Sequence, residues 1–173
     1  GNDEIDVLLN DNNYLVRYTA TQYEYNKLNN IWEGAEELLL DKSRTIREYA
    51  VFLLRKHTDF DVAKFYRGQI DGAECVFAII GLGECGTKDD IKLIMPYLNS
   101  ENTKFVSAAL TAIRQLTGYE SSEIFWEYLF DSCVSVSKTA YLMIQKRFSN
   151  DTATRVIDAL LDCLDMLIAR SHV

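Results

Sequence analysis

LLNDNNYLVRYTA (8–20) and LLLDKSRTIREYA (38–50) are one thirteen-residue pattern written twice, thirty residues apart. In each copy an aspartate (Asp11, Asp41) precedes an arginine (Arg17, Arg47) by six positions, and an alanine (Ala20, Ala50) follows three later. The alanine recurs at Ala78, Ala109 and Ala140, in steps of 30, 28, 31 and 31 residues. Four positions after each alanine stand Glu24, Leu54, Leu82, Ile113 and Ile144. Residues four apart share a helix face. A small residue lets a neighbouring helix approach, and a large aliphatic one turn later fills the space beyond. A fixed period near thirty residues is the mark of a repeat array.

Before each alanine helix lies another amphipathic stretch: IWEGAEELLL (31–40), FDVAKFY (60–66), DIKLIMPYL (90–98) and EIFWEYLF (123–130). Each repeat therefore reads as helix, short turn, helix. The second helices are expected near 13–28, 43–57, 71–85, 103–116 and 135–148. The repeats divide at about 3–28, 29–57, 58–86, 87–118 and 119–149, with a terminal helix at about 151–170 inside 150–173. The first repeat has a very short leading helix, which reads as a terminal cap or as the start of a piece of a longer array. Asn30 with Glu33, and Thr87 with Asp90, have the spacing of N-terminal caps. Gly68, Gly86 and Gly118 are expected to end helices as left-handed caps. Pro96 predicts a kink or an early helix end.

Composition agrees. At 173 residues the chain suits one domain or one array. A single proline and eight glycines leave too few turn-makers for a sandwich or barrel. The net charge of -8 argues against a general binder of nucleic acid or anionic membrane. Cys75, Cys85, Cys133 and Cys163 form no CxxC pair and read as buried thiols of a reducing, cytoplasmic compartment. The opening GNDEIDVLLNDN has no signal-peptide pattern, and the longest apolar run, VFAIIGLG (76–83), falls short of the about 20 residues that cross a bilayer.

Residues 78–118, AIIGLGECGTKDDIKLIMPYLNSENTKFVSAALTAIRQLTG, resemble the HEAT family of helical repeats, and within it the HEAT-like subtype also found in bilin lyases. The GLGECG segment, the paired LL or YL before the turn, and the VxxAxxxI helix carry the resemblance. It extends over nearly the whole chain. It implies an all-α, right-handed α-α superhelix of about five helix pairs plus a terminal helix, with the second helix of each pair lining a concave face. It also implies a ladder joining the turn aspartate to the arginine six later. Asp11/Arg17 and Asp41/Arg47 match; Gln69/Cys75, Ser100/Val106 and Asp131/Ser137 depart from it.

No catalytic, metal or cofactor motif rises above an ordinary structural reading. His57-Thr58-Asp59-Phe60-Asp61 falls between two helices, where Asp59 or Asp61 serves as a cap. His172 has no partner in sequence. GLGECG (81–86) follows a helix and lacks the GxGxxG spacing, so it reads as close packing and a helix end. Glu36-Glu37, Asp89-Asp90 and Glu120/Glu123/Glu127 lie at first helices and read as solvated faces.

The binding face follows from the alanine register. Positions two before each alanine, and two and five after it, point to the open side of the second helices. They give Tyr18, Gln22 and Tyr25; Glu48, Phe52 and Arg55; Val76, Ile80 and Gly83; Ser107, Thr111 and Arg114; and Lys138, Leu142 and Gln145. The central row is mostly apolar, with aromatic and Arg residues beside it, as suits a peptide or helix ligand. Gly81 and Gly83 thin the middle lining helix and leave room for an apolar anchor. The second helices together carry +6 against -14 for the remainder. If the register slips by one position, the row is core instead.

The expected function is a non-catalytic scaffold that binds a protein or peptide segment on this face, with no cofactor, metal or membrane. Tyr18, Tyr25, Phe52, Arg55, Ile80, Thr111, Arg114, Lys138 and Leu142 are the candidate residues. The alternative is an enzyme or nucleic-acid protein on the same fold. HEAT-like alkylpurine DNA glycosylases use a basic concave groove, and the edge formed by Arg55, Arg114 and Lys146 is the local likeness; a lyase-type component is a third reading.

Overall fold

A small residue recurring every 28 to 31 positions favours close helix pairs, and helices are what form. The computed structural model describes residues 2–28, 34–72, 75–118, 122–145, 154–158, 160 and 161. Among them there is no strand. The Asn30/Glu33 cap, Cys163, His172, Glu120 and most of the expected terminal helix lie outside the described residues. The chain divides into two compact units, Gly1–Gly86 and Thr87–Val173, at a boundary the repeat spacing also marks.

In the first unit, α1 (Asn2–Leu9) packs on α2 (Tyr14–Lys27), and α2 on α3 (Arg44–His57). A 3-10 segment, Glu37–Leu40, precedes α3 and packs on it. Next come α4 (Val62–Gln69) and α5 (Cys75–Cys85), packed together. In the second unit, α6 (Ile91–Ile94) runs into a 3-10 segment, Met95–Asn99, and both pack on α7 (Thr103–Thr117). Two further helices, α8 (Ser122–Glu127) and α9 (Val134–Gln145), pair, and α9 lies against α7. Residues 154–158 are again helical.

The buried side of the alanine register holds. Ala20, Ala50, Ala78, Ala109 and Ala140 are buried, as are Leu54, Leu82, Ile113 and Ile144. Glu24 is half-buried, and Lys27 reaches its carboxylate at 3.5 Å. Pro96 acts as expected: without an N–H it cannot continue the α pattern, and α6 passes into the 3-10 segment one residue earlier.

The turns repeat as well as the helices. The Asp11, Asp41 and Asp131 carboxylates each accept the backbone N–H two residues on, at 2.7, 2.6 and 2.7 Å, and the Ser100 hydroxyl accepts that of Asn102 at 3.1 Å. This is the local reason for an Asp or Ser at each turn. Thr87 and Asp90 form the expected capping box, with the Thr87 N–H donating to Asp90 Oδ2 at 2.7 Å. Asp61 caps α4, accepting the Lys64 N–H at 2.9 Å.

Two of the three glycine expectations need correction. Gly118 ends α7 at φ 61°, a backbone that suits only glycine. Gly68 lies inside α4, and Gly86 leaves α5 through an ordinary bond to the Leu82 carbonyl at 2.8 Å. There the incoming Thr87 cap ends the helix, and no left-handed residue is needed.

The arginine ladder also takes a different form. Arg17 donates to the Asp11 carbonyl at 2.6 Å, but its guanidinium grips the carboxylate of Asp41, 24 residues on in the next repeat, with two bonds of 2.8 Å. Arg47 repeats the arrangement, donating to the Asp41 carbonyl at 2.7 Å. Its carboxylate is Glu84 of α5, at 2.6 and 3.0 Å. The link therefore runs from one repeat to the next, and the acceptor for Arg47 comes from a helix rather than a turn. Both arginines are almost fully buried.

Candidate functional site

The α3 helix places Tyr49, Phe52 and Lys56 three and four residues apart, on one face. Across from them α2 places Tyr18, Gln22 and Tyr25 by the same spacing. The rings form a continuous cluster: Tyr18 meets Tyr49 edge-on at 5.2 Å between centroids, Tyr25 meets Tyr49 edge-on at 6.4 Å, and Tyr49 stacks with Phe52 at 6.1 Å. The Lys56 ammonium sits 5.7 Å from the centroids of both Tyr25 and Phe52. Attraction between the cation and the ring faces holds it there.

Hydrogen bonds fix the rim. The Tyr25 hydroxyl lies 2.7 Å from His57 Nε2 and accepts from Lys56 Nζ at 3.2 Å. Gln22 donates to the Tyr18 hydroxyl at 3.2 Å. Burial pushes the Tyr49 phenol above its ordinary pKa, and the neighbouring Tyr18 and Tyr25 add to the shift. Phe52 ends the stack and is 53 % exposed. Glu48, Val51, Phe52, Arg55 and Lys56 wall a shallow depression of about 470 Å³.

The candidate residues fall as follows. Tyr18, Phe52 and Arg55 border this one surface of the first unit. Tyr25 belongs to the cluster but is only 6 % exposed, so its ring supports the surface from beneath. Its position five after Ala20 turns it toward His57 and α3 rather than to solvent. Ile80 on α5 is half-buried. The expected depression beside Gly81 is absent: the Tyr66 ring occupies it, and a Cβ at Gly81 would come within 2.2 Å of that ring.

In the second unit, Thr111 is half-buried and donates to the Ser107 carbonyl at 2.8 Å. Arg114 reaches across to the Met143 carbonyl of α9 at 3.1 Å, a tie between helices. Lys138 and Leu142 are exposed on α9, Leu142 at 46 %. Lys138 borders an apolar groove of about 600 Å³ with Phe130, Val134, Tyr141, Val156 and Leu160. Gln145 and Lys146 lie outside the residues whose side chains are described.

Tyr49 is the member of the cluster that the register did not select, since it stands directly before Ala50. Its signal was the aromatic pair Tyr49/Phe52 at helical spacing, with Lys56 one turn further. Cys75, Cys85 and Cys133 form no disulfide. Asp131 and the Ser135 hydroxyl flank Cys133, and hydrogen bonds from Ser135 and Val136 lower its thiol pKa. Among the described residues no three His, Cys, Asp or Glu side chains converge as a metal site, and no helix is long and apolar enough to cross a membrane. Glu123 is engaged by Arg155 at 2.9 and 3.0 Å, which lowers its pKa. No protein-family model, curated protein or solved structure matches the chain.

Proposed function

We propose that this chain is a HEAT-like interaction module without catalytic activity, whose helix pairs stack as a right-handed superhelix and whose second helices present the binding face. The face is centred on Phe52, with Tyr18, Tyr49 and Arg55 around it. Ile80, Thr111, Arg114, Lys138 and Leu142 hold the same register on later repeats. The ligand is a protein segment carrying an apolar anchor and carboxylates. Exposure of Phe52 at the end of a pre-packed aromatic stack, beside Arg55 and Lys56, carries this reading. Rigid aromatics and arginines dominate the energy of protein interfaces, and Tyr49 and Tyr25 already hold the rings in place. The two cations select acidic partners over basic ones.

Affinity capture from the source cell tests it. Wild-type protein is compared with Phe52→Asp/Arg55→Glu, both positions being exposed, after equal thermal midpoints have been verified. The partner enriched by the wild type is expected to be lost by at least about tenfold with the variant. Undiminished capture overturns the site. Salt-dependent binding of duplex DNA, removed by the same variant, would replace the protein ligand with nucleic acid.

A further inference from the structure

Ile5 and Leu8 of α1, with Leu15, Val16, Thr19 and Tyr23 of α2, wall an apolar groove of about 590 Å³. Thirty residues on, Val16, Thr19, Ala20 and Tyr23 become Ile46, Tyr49, Ala50 and Leu53 of α3. That stripe of α3 is covered. Ile46, Ala50 and Leu53 are buried, and Tyr49 meets the rings of Tyr18 and Tyr25 from α2. On α2 the same stripe lies open: Tyr23 is 59 % exposed where Leu53 is 3 %. The register that packs α3 against the repeat before it therefore gives α2 an equivalent face that is bare. A repeat that closes an array carries a polar outer face, and this face is apolar.

The polar junction selects the occupant. The Asp41 carboxylate accepts the Ser43 N–H at 2.6 Å and, on both oxygens, the Arg17 guanidinium of the preceding repeat. Asp11 is its equivalent one period earlier. The Asp11 carboxylate accepts the Asn13 N–H at 2.7 Å, and among the described residues no side chain donates to it. Arg17 takes the Asp11 carbonyl and spends its remaining donors on Asn12 and Asp41. What Asp11 lacks, relative to Asp41, is an arginine from a repeat ahead of it. A second copy has none to offer in that register. Arg17 and Arg47 are bound to Asp41 and Glu84, and Cys75, Val106 and Ser137 stand at the same position in later repeats.

We propose that the α1–α2 face docks one further repeat of this chain's own pattern, LLxDxxxxxRxxA, whose second helix covers the groove and whose arginine grips the Asp11 carboxylate. The 173-residue chain is compared with chains extended ahead of Asn2 by a second run of residues 2–31, or by residues 32–61. Each extension places its arginine, Arg17 or Arg47, 24 residues before Asp11, the separation of Arg17 from Asp41. A scrambled extension of equal composition is the control. At least one ordered extension is expected to raise the thermal midpoint by about 4 °C or more over the scrambled one. Changing the extension's arginine to Met, or Asp11→Asn at its own position, should each remove part of that rise. The two together should remove no more than one alone, because they break the same bond. Tyr23→Gln at its own exposed position should leave the unextended chain unchanged and lower the midpoint of the extended one. Phe52→Asp/Arg55→Glu at their own positions should leave the rise intact, so this face and the α3 face fail separately. Two ordered extensions that behave like the scrambled one overturn the proposal. So does a rise indifferent to the arginine and Asp11, or a dimer of the unextended chain, seen by light scattering, that Tyr23→Gln dissolves.

Discussion

Burial of the Tyr66 ring leaves its hydroxyl a backbone acceptor, the Leu39 carbonyl at 2.8 Å. A phenolate there would lose that bond and sit unsolvated, so burial raises the Tyr66 pKa far above the ordinary value of about 10. The folded state holds the proton more tightly than the unfolded one. The stability this confers is complete below the unfolded pKa and is lost as pH rises beyond it. The urea midpoint is therefore expected to stay level from about pH 7 to 9 and to fall above about pH 10. Tyr66→Phe should cost about 1 kcal/mol at neutral pH and make the alkaline fall shallower. Tyr49 and Tyr128 shift the same way, so part of the fall remains. An alkaline limb as steep in Tyr66→Phe as in the wild type would contradict this. In the sequence, Gly81 was legible as a place where something packs closely. That the ring comes from Tyr66, fifteen residues earlier, was not, because nothing local to GLGECG names its neighbour.

At the scale of the element, α7 is the clearest product of the repeat pattern. Ala108, Ala109, Ala112 and Ile113 are buried on it, with Ala109 completely inaccessible. Ala109→Leu forces three further heavy atoms into that contact and should destabilise by about 1–3 kcal/mol, read as a lower denaturation midpoint. An unchanged midpoint would refute the register. The second helices were legible to within a few residues because their apolar spacing persists over three turns or more. The leading helices were less so. Glu37–Leu40 and Met95–Asn99 are 3-10 segments, and over so few residues a period of 3.0 cannot be told from 3.6. Only Pro96 announced the change. The exposure of Phe52 and Leu142 followed from the same register, whereas Tyr25 departs from it because His57 and Lys56 draw it inward.

Across the chain, covalent neighbours are joined by turns and more distant ones by Arg17 and Arg47. Removing Arg47 leaves the half-buried Glu84 carboxylate with only the more distant Arg44, at 3.9 Å, and takes the donor from the Asp41 carbonyl. Arg47→Met should cost about 3–5 kcal/mol in chemical denaturation, and adding Glu84→Leu should return much of that loss. Additive losses in the double variant would show that the pair is not coupled. The aspartates and arginines were visible as a spaced motif, but the direction of their pairing was not, since six residues of sequence separation conceals partners 24 and 37 residues away. That direction has a hereditary consequence. A segment bearing a donor on its trailing edge and an acceptor on its leading edge is complementary to itself. When recombination copies such a stretch in tandem, the daughter meets its parent with the polar junction already matched, and length can grow without inventing a new interface. Glu84, supplying from a helix what Asp41 supplies from a turn, shows that the socket can move while the plug stays put.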